Sequence, residues 1–388
     1  MQRVYLDHSA TTPVRKEVAD LVLSYMTTNY GNPSSIHSFG REAKKALENA
    51  REQVAGLIGA KPEEIIFTSG GTEADNLAVI GTALANQKKG KHLITSVIEH
   101  HAVLDSFKYL EKQGFEVTYI PVDEYGLVNP DHVAKAVKEQ TILLSIMHVN
   151  NEVGTIQPIK EIAEIIKSKS QDIIIHTDAV QSVGKIPVDV NELKVDLLTA
   201  SSHKIYGPKG VGCLYVRKGT KIEPRYFGGG QERKRRPGTE NLPGIVGFGK
   251  AAELAKQELK QEMVKLSELR DMLMDGILKT IPDVKINGDR EKRIPGNVNV
   301  SIRYVEGEAL LLSLDMKGIA ASSGSACTSG SLDPSHVLLA MGIPHEIAHG
   351  SLRMTLGRDN TKEDIQYVLD TLPGIVNKLR AMSPLYNK

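Results

Sequence analysis

The chain alternates short apolar runs with longer amphipathic stretches through its first two-thirds. Between Glu42 and Ile58, apolar residues recur at spacings of three and four, which predicts an amphipathic helix. Helical patterns such as residues 159–169 separate several runs that are too short for helices and rich in β-branched residues. Those runs predict buried strands at residues 64–68, 92–97, 116–122, 141–147, 172–178 and 196–201. The rhythm predicts an α/β fold with a mostly parallel sheet covered by helices on both faces.

The pattern changes near Gly244. Residues 248–280 predict one long helix rich in Glu and Lys, and a helical pattern returns at residues 364–372. Between them lie strand-like pieces at residues 295–305, 318–327 and 351–358. We therefore expect a large α/β domain, a hinge helix and a second, smaller α+β domain.

The composition argues against several classes of function and partner. The 388 residues are 40% hydrophobic and 24% charged, as in ordinary globular proteins. Forty-eight Lys and Arg against 47 Asp and Glu leave a net charge of +1, which argues against a nucleic-acid partner. Two cysteines cannot form a disulfide framework or a four-cysteine zinc site. Because we find neither a signal-peptide pattern nor a run of about 18 apolar residues, we expect a cytoplasmic protein without a membrane partner.

Three predicted strands end in residues that suit one cofactor. Glycines, Thr72 and a helix follow the first strand and predict an anion site, with an ordinary helix start as the alternative. Asp178 and Lys204 follow two later strands. The alternative interpretation of Asp178 is a helix cap, and that of Lys204 is an ordinary solvent-exposed amine. Together they supply what pyridoxal phosphate requires: a phosphate cradle, an acid for the pyridine nitrogen and an amine for a Schiff base. His100 offers a ring to stack on the cofactor, and His101 is its rival.

The two cysteines have opposite interpretations. Cys327 lies in a run of Ala, Ser, Gly and Thr that cannot pack a core, so its thiol is expected to be accessible and reactive. Cys213 lies in an apolar strand pattern and is expected to be inert. Arg353 shares a predicted strand face with Thr355 and suits either a substrate carboxylate or a structural ion pair.

Two other motifs point elsewhere. The stretch from His345 to His349 matches the H-E-x-x-H pattern of zinc peptidases, but the glycine and third histidine of metzincins do not follow. The basic run Arg233–Arg236 is flanked by Glu232 and Glu240 and is expected to form a solvated or interface loop.

With these residues in hand, the chain resembles cysteine desulfurases of the NifS/IscS type, in the class V aminotransferase family. The similarity runs nearly end to end through YLDHSATTP, YGNPSSIH, TSGGTEADN, EHHAVLD, HVNNEVGTIQP, HTDAVQSVGK, SSHKIYGPKGVG, GGGQERKRRPGTEN, SSGSACTSG and SLRMTLGR. The segment around Cys327 resembles the desulfurase branch in particular. The sequence departs from the family at Pro237, where Ser is usual, and at Gly71, where Ala is common.

The resemblance implies two domains, residues 15–250 and residues 1–14 with 251–388, and a role for each site residue. Lys204 would carry pyridoxal phosphate, Asp178 would pair with the pyridine nitrogen, and Gln181 would meet the ring hydroxyl. His100 would stack on the ring, Asn151 would contact cofactor and substrate, and Arg353 would bind the substrate carboxylate. The cofactor's phosphate would be bound by the stretches that contain Gly71, Thr72, Ser201, Ser202, His203 and, from the partner of a homodimer, Thr239.

The implied reaction takes sulfur from L-cysteine and leaves L-alanine. Lys204 would move the Cα proton, and the Cys327 thiolate would take the sulfur as a persulfide. An iron–sulfur scaffold or another sulfur acceptor would then receive it, and Cys327 could also ligate a cluster transiently. The alternatives are another reaction on the same cofactor (a transaminase or a selenocysteine lyase), a zinc peptidase and a non-catalytic scaffold.

Overall fold

The computed structural model describes residues 2–323, 334–384 and 386. Within them the strands are β1 (Val4–Tyr5), β2 (Ile65–Thr68), β3 (His92–Ser96), β4 (Glu116–Ile120), β5 (Thr141–Ser145), β6 (Ile174–Asp178), β7 (Leu197–Ser201), β8 (Gly212–Val216), β9 (Val284–Ile286), β10 (Asn297–Ile302), β11 (Ile319–Ala320) and β12 (Ser351–Thr355). The helices are α1 (Lys16–Thr27), α2 (Ser38–Leu57), α3 (Gly71–Asn86), α4 (His101–Lys112), α5 (Pro130–Ala136), α6 (Ile159–Lys169), α7 (Leu242–Thr280), α8 (Gly307–Asp315), α9 (His336–Ala340), α10 (His345–Ala348) and α11 (Lys362–Met382).

A seven-stranded sheet forms the centre of the molecule, in the order β2-β8-β7-β6-β5-β3-β4. Only β8 runs antiparallel to its neighbours in this sheet, so the predicted α/β class is confirmed. All six strands predicted from the apolar runs are present. Their Ile, Leu and Val residues pack under helices, which is why they read as continuous apolar runs. Cys213 lies in β8, where burial raises the pKa of its thiol to about 12, as expected for an inert residue.

The remaining strands form two small sheets. Strands β12, β10 and β9 make an antiparallel sheet, and β1 pairs in parallel with β11. Leu352 and Met354 pack into the apolar core of this region while Arg353 points the other way, so the predicted alternation in β12 is confirmed. No helix in the described part of the chain has the length and apolar composition needed to cross a membrane.

Helix α7 joins the cores of the large and the small sheets. It begins at Leu242, six residues before the predicted start, because the Asn241 side chain accepts a hydrogen bond from the Gly244 amide and proline occupies the first turn. Its first half packs Phe248 into the core beneath the large sheet, and its second half packs Leu273 into the core beside β10 and β12. The predicted domain boundary after residue 250 therefore falls inside one continuous helix.

A buried ion pair anchors the loop that contains the basic run. Arg51 of α2 donates two hydrogen bonds of 2.8 Å to the Glu232 carboxylate, which also accepts one from the Phe67 amide of β2. Residues 232–234 all have positive φ angles, a conformation that is costly for residues other than glycine. The ion pair holds this strained turn in place, and with it the start of the stretch that leads to Thr239.

We predict that Arg51→Met lowers the free energy of unfolding by about 3 kcal/mol or more, because the Glu232 carboxylate is left buried without its cation. Chemical denaturation followed by circular dichroism measures the loss. Lys16→Met is the matched control, since Lys16 pairs with Asp20 on the exposed face of α1 and its loss should leave the unfolding transition nearly unchanged. Equal effects of the two variants would contradict this account.

Candidate active site

The carboxyl ends of several parallel strands surround one cavity of about 280 Å³. Strands β3, β5, β6 and β7 are parallel, and β2 points the same way because β8 runs antiparallel between β2 and β7. Ligands bind at this edge of open α/β sheets. The cavity brings together ten residues that the sequence singled out: Gly71, Thr72, His100, Asn151, Asp178, Gln181, Ser201, His203, Lys204 and Arg353.

Lys204 lies in a single 3₁₀ turn directly after β7. Its Nζ donates hydrogen bonds to the carbonyl oxygens of Ser9 and Ala10, the latter at 2.7 Å. The Thr12 amide and hydroxyl both donate to the His203 carbonyl, at 3.1 and 2.9 Å. Residues 7–12, here called the N-terminal strip, therefore hold the lysine turn. No role in the site was predicted for these residues from the sequence, although the stretch is rich in small and hydroxyl-bearing side chains.

Asp178 ends β6 and is 6% exposed. Its Oδ1 accepts a hydrogen bond of 2.9 Å from the Val180 amide. Burial raises the pKa of Asp178, while the neighbouring His100 ring and Lys204 amine act in the opposite direction. Asp75 also lines the cavity, and burial together with the nearby Asp178 raises its pKa well above the ordinary range. The cavity therefore has a buried acidic side that favours a cationic or N–H-bearing partner.

The structure separates the two rival histidines. His100 caps α4, since its Nδ1 accepts a hydrogen bond of 3.1 Å from the Ala102 amide, and its ring lines the cavity. Burial and the nearby Lys204 lower the pKa of His100, although Asp178 raises it, so burial favours the neutral ring. His101 instead faces an adjacent open concavity and lies 5.0 Å from the His336 ring. Of the two, His100 is positioned to meet a ligand in the cavity.

His203 contributes a second ring beside the lysine. Its Nδ1 lies 3.1 Å from the Thr11 hydroxyl of the N-terminal strip. Burial, with the charges of Lys204 and Lys209, lowers the pKa of His203 to about 4. The imidazole is therefore neutral at pH 7 and can act as a hydrogen-bond donor or acceptor without adding charge.

The amino-terminal end of α3 opens onto the same cavity. In the described part of the chain no side chain caps this helix, so the backbone amides of Gly71 and Thr72 and the positive end of the helix dipole remain for a ligand. Glu73 is drawn away from the cavity, because it pairs with Arg236 at 2.9 Å and accepts from the Ser69 amide. This end of the cavity suits a phosphate.

Gly71 leaves space that a neighbouring side chain uses. A Cβ at this position would lie 2.9 Å from Val180 Cγ2, closer than packed carbon atoms approach. The departure from the family's common alanine is therefore matched by Val180 on the opposite wall. The glycine keeps the helix start close to the segment after Asp178.

Arg353 forms the structural ion pair that the sequence allowed and also lines the cavity. Its Nη2 lies 2.9 Å from Asp7, and its Nη1 donates to the Asn151 carbonyl at 3.1 Å. Asp7, in the N-terminal strip, thus holds the guanidinium in place at the cavity wall, a contact that was not predicted from the sequence.

The remaining candidates from the sequence are not among the residues that line the cavity. Ser202 is buried beside Gly207 and does not line the cavity, and Thr239 is exposed on its loop. Cys327 lies outside the described residues. Helix α10 begins at His345, as predicted, yet no group of three metal-ligating side chains occurs in the described ranges, so the zinc motif gains no support there. In the basic run, Arg233 and Arg236 bind Glu63 and Glu73 of this chain.

The groups that line the cavity fit the functional groups of pyridoxal phosphate. It offers a primary amine on Lys204, a buried carboxylate on Asp178 and an uncapped helix end beside Thr72, at separate positions around one space. Its volume is close to the lower end of the range for small-molecule pockets, about 300 Å³. These groups match the aldehyde, the pyridine nitrogen and the phosphate of the cofactor.

Comparisons with known proteins agree with this site. The family model described as aminotransferase class-V matches residues 4–368. A protein named cysteine desulfurase IscS from Methanosarcina thermophila is 59% identical over 385 residues, covering 99% of this chain and 95% of its own length. A solved structure named NifS-like protein is 41% identical with a TM-score of 0.92, covering 97% of this chain and all of its own.

A second solved structure has cysteine in its name. It is described as SspA in complex with cysteine, is 36% identical with a TM-score of 0.79, and covers 91% of this chain and 98% of its own. The family match extends from β1 into α11, and the cavity supplies the groups that the cofactor of this family needs. The chain belongs to the pyridoxal-phosphate-dependent class-V aminotransferase family, among its cysteine desulfurases of the IscS and NifS type.

Proposed function

We propose that this protein removes the sulfur of L-cysteine, releasing L-alanine and leaving a persulfide on Cys327. The observation that carries the proposal is the meeting of Lys204, Asp178 and the start of α3 around one cavity, with Arg353 at its wall. The resemblance to proteins named cysteine desulfurase selects this reaction among those that the cofactor supports. The solved relative that binds cysteine supports the choice of substrate.

Each residue then has a defined task. Bound pyridoxal phosphate supplies a carbonyl for the substrate amine and a ring that accepts electrons. Lys204 would hold the cofactor at rest and would move the proton of the substrate Cα through its Nζ. Asp178 would keep a proton on the pyridine nitrogen, and the neutral His100 ring would stack on the cofactor without adding charge.

The substrate carboxylate binds beside the N-terminal strip. Arg353 offers its guanidinium there, already oriented by the Asp7 ion pair. The Asn151 carbonyl fixes the same side chain from the other direction, and the Asn151 side chain would contact cofactor and substrate. A rigid arginine of this kind selects for α-amino acids, because an amine without a carboxylate leaves the donors that the guanidinium presents to the cavity without an acceptor.

The persulfide step needs the Cys327 thiol close to the substrate sulfur. The described residues on both sides of its segment are held by hydrogen bonds: Ser322 exchanges two backbone hydrogen bonds with Arg353, and Ser335 donates to the Glu152 carboxylate. Cys327 comes four positions after Ser323 in the sequence, and a chain of that length spans at most about 14 Å. This short connection supports the proposal that the Cys327 thiol reaches a substrate bound beside Arg353.

The step balances without an external oxidant. The substrate Cβ–Sγ bond breaks, an Sγ–Sγ bond forms with the Cys327 thiolate, and the carbon product takes up protons to become alanine. The sulfur now on Cys327 is at the level of a persulfide and can pass to an acceptor thiol. An iron–sulfur scaffold protein is the acceptor we propose, with transient cluster ligation by Cys327 as an extension, in a reducing cytoplasm where the thiol stays available.

The active unit is proposed to be a homodimer of two-domain subunits, with residues 15–250 in one domain and residues 1–14 and 251–388 in the other. Phe227 is 93% exposed and Ile36 is 92% exposed, which is unusual for large apolar side chains and typical of an interface. An open concavity of about 570 Å³ adjoins Thr72 and His100. The partner subunit's Thr239 would enter there and bind the phosphate, because in its own chain Thr239 is exposed and does not line the cavity.

We predict that Cys327→Ser retains the visible absorption of the bound cofactor but releases alanine from L-cysteine at less than about 1% of the wild-type rate, because a hydroxyl cannot take the sulfur. Alanine and sulfide are quantified, and the mass of the peptide that contains residue 327 is measured. The wild-type peptide should gain one sulfur atom.

Two controls make this result decisive. Cys213→Ser removes the buried thiol of β8 and should keep turnover within about twofold, while Lys204→Ala should lose both the visible band and turnover. Full turnover by Cys327→Ser would refute the persulfide step. A keto acid in place of alanine would instead favour a transaminase.

We predict that Thr239 acts across the dimer. Thr239→Val should weaken cofactor binding about tenfold or more by removing one hydrogen bond to a charged group. In dimers that combine one Thr239→Val chain with one Lys204→Ala chain, the intact lysine faces an intact partner threonine. Those mixed dimers should regain about half of the wild-type activity, measured after isolation with two different affinity tags. Activity that stays at the Thr239→Val level would show that Thr239 acts within its own chain.

A further inference from the structure

A second lysine contacts the active site from behind. Lys185 lies in the turn that follows Asp178, and its Nζ donates a hydrogen bond of 3.0 Å to Gln181 Oε1. The other end of the same amide, Gln181 Nε2, donates at 3.0 Å to the Ser9 carbonyl, which also accepts from Lys204. A continuous line of hydrogen bonds therefore joins Lys185, Gln181, Ser9 and Lys204.

Lys185 reaches the ligand cavity only through this amide. Gln181 lines the cavity and Lys185 does not. Instead, Lys185 lines a small void of about 30 Å³ on the far side of Lys204, together with His8, Arg15 and Glu262. The position of Lys185 thus suits a residue that orients Gln181, rather than one that touches a substrate.

The two partners of Gln181 determine which way its amide points. The Ser9 carbonyl accepts only, so it binds the nitrogen of the amide. The ammonium form of Lys185 has three donors and no acceptor, so it binds the oxygen. Because Nε2 carries two hydrogens, one remains for a ligand after the bond to Ser9 is made. With the amide reversed, the Ser9 contact would be lost whatever the charge of Lys185, and the cavity would face an acceptor instead of a donor.

We propose that Lys185 is a positioning residue that fixes the Gln181 amide with its N–H₂ group available to an oxygen on the ring of the bound cofactor. The inference rests on the proposed function, because it needs the cofactor in this cavity. It adds a residue outside the cavity to the machinery that orients the ring. The Gln181 N–H₂ group would donate a hydrogen bond to the ring oxygen and would thereby favour the deprotonated form of that oxygen.

The surroundings of Lys185 explain why such a contact is needed. Burial, followed by the charges of Lys204 and Arg353, lowers the pKa of Lys185 to about 7, and Glu262 opposes that change. His8, Arg15 and His203 also face this region. An amine in this position is costly unless it is hydrogen-bonded, and Gln181 Oε1 supplies that bond.

Lys185→Met tests the proposal in the cofactor-loaded protein. We expect the dissociation constant of pyridoxal phosphate to rise about tenfold, because the donor to the ring oxygen is no longer held in place. We also expect the apparent pKa of the visible absorption band to rise by about one unit, since loss of the donor favours the protonated form. Lys185→Arg should restore both values to within about threefold, because it keeps a donor. Lys250→Met, which removes a lysine paired with Glu253 on α7, should change neither.

A double substitution separates positioning from charge. In Gln181→Ala the orienting contact no longer exists, so adding Lys185→Met should change the dissociation constant and the band by less than about twofold. A further tenfold change in that background would mean that Lys185 acts through its charge, and the proposal would be wrong. Absence of any effect of Lys185→Met in the protein that keeps Gln181 would equally overturn it. Should Lys185→Met fold poorly, Lys185→Gln removes the same cation and fixed donor, and the same comparison is made.

The wild-type protein distinguishes this inference from the proposed function. If it develops no visible band when pyridoxal phosphate is added, the proposed function fails, and the role of Lys185 fails with it. If the wild-type band forms and titrates while Lys185→Met behaves identically, the proposed function stands and only the role of Lys185 is refuted.

Discussion

The hydrogen bonds from Lys204 to the carbonyl oxygens of Ser9 and Ala10 are the interaction on which the rest of the site depends. They hold the N-terminal strip against the turn after β7. The other side of the strip is fixed to β12, because Asp7 pairs with Arg353 and the Ser9 amide donates to the Thr355 hydroxyl at 2.8 Å. The edge of the seven-stranded sheet and the small antiparallel sheet thus meet through a few residues near the amino terminus.

This arrangement makes backbone atoms part of the site. A carbonyl oxygen carries no charge, cannot be titrated and is available at every residue, so it can hold an amine without fixing a permanent counter-ion beside it. A carboxylate in the place of Ser9 would bind the Lys204 ammonium more strongly and would oppose the covalent bond that the lysine must form with the cofactor. Carbonyl groups hold the amine in position and leave it available for reaction.

The sequence was sufficient for the large sheet and for one side of the cavity. The inner strands β3, β5 and β6 are buried on both faces and appear in the sequence as largely apolar runs, Asp178 ends β6, and Lys204 is the third residue after β7. In a parallel sheet the carboxyl ends of the strands lie at one edge, so the sequence alone predicts that Asp178 and Lys204 lie close together. Helix α7 was placed too late because the cap at Asn241 was not recognised.

The remaining parts of the site depend on contacts between distant segments. Ser9 and Lys204 are separated by 195 positions, and Asp7 and Arg353 by 346. Local periodicity contains no information about which segments meet at such separations. Every residue has a backbone carbonyl, so the residue type does not indicate which carbonyl binds the lysine. The assignments of Thr239 and Cys327 stay predictions for a related reason: each depends on a partner chain or on a segment outside the described residues.

The distribution of charged residues around the cavity determines which ligands it selects. Lys204 and Arg353 provide cations on the side of the N-terminal strip, with Lys185 behind them, while Asp178 and Asp75 provide acids at the end of β6 and in α3. Burial makes a charge costly unless it is paired, so the charged groups that line the cavity favour a ligand that brings the opposite charge. A ligand with an anionic phosphate, a protonated ring nitrogen and an amino-acid carboxylate meets all these demands at once, whereas a neutral ligand of the same size meets none. The selectivity of the cavity therefore follows from which buried charges a ligand can neutralise.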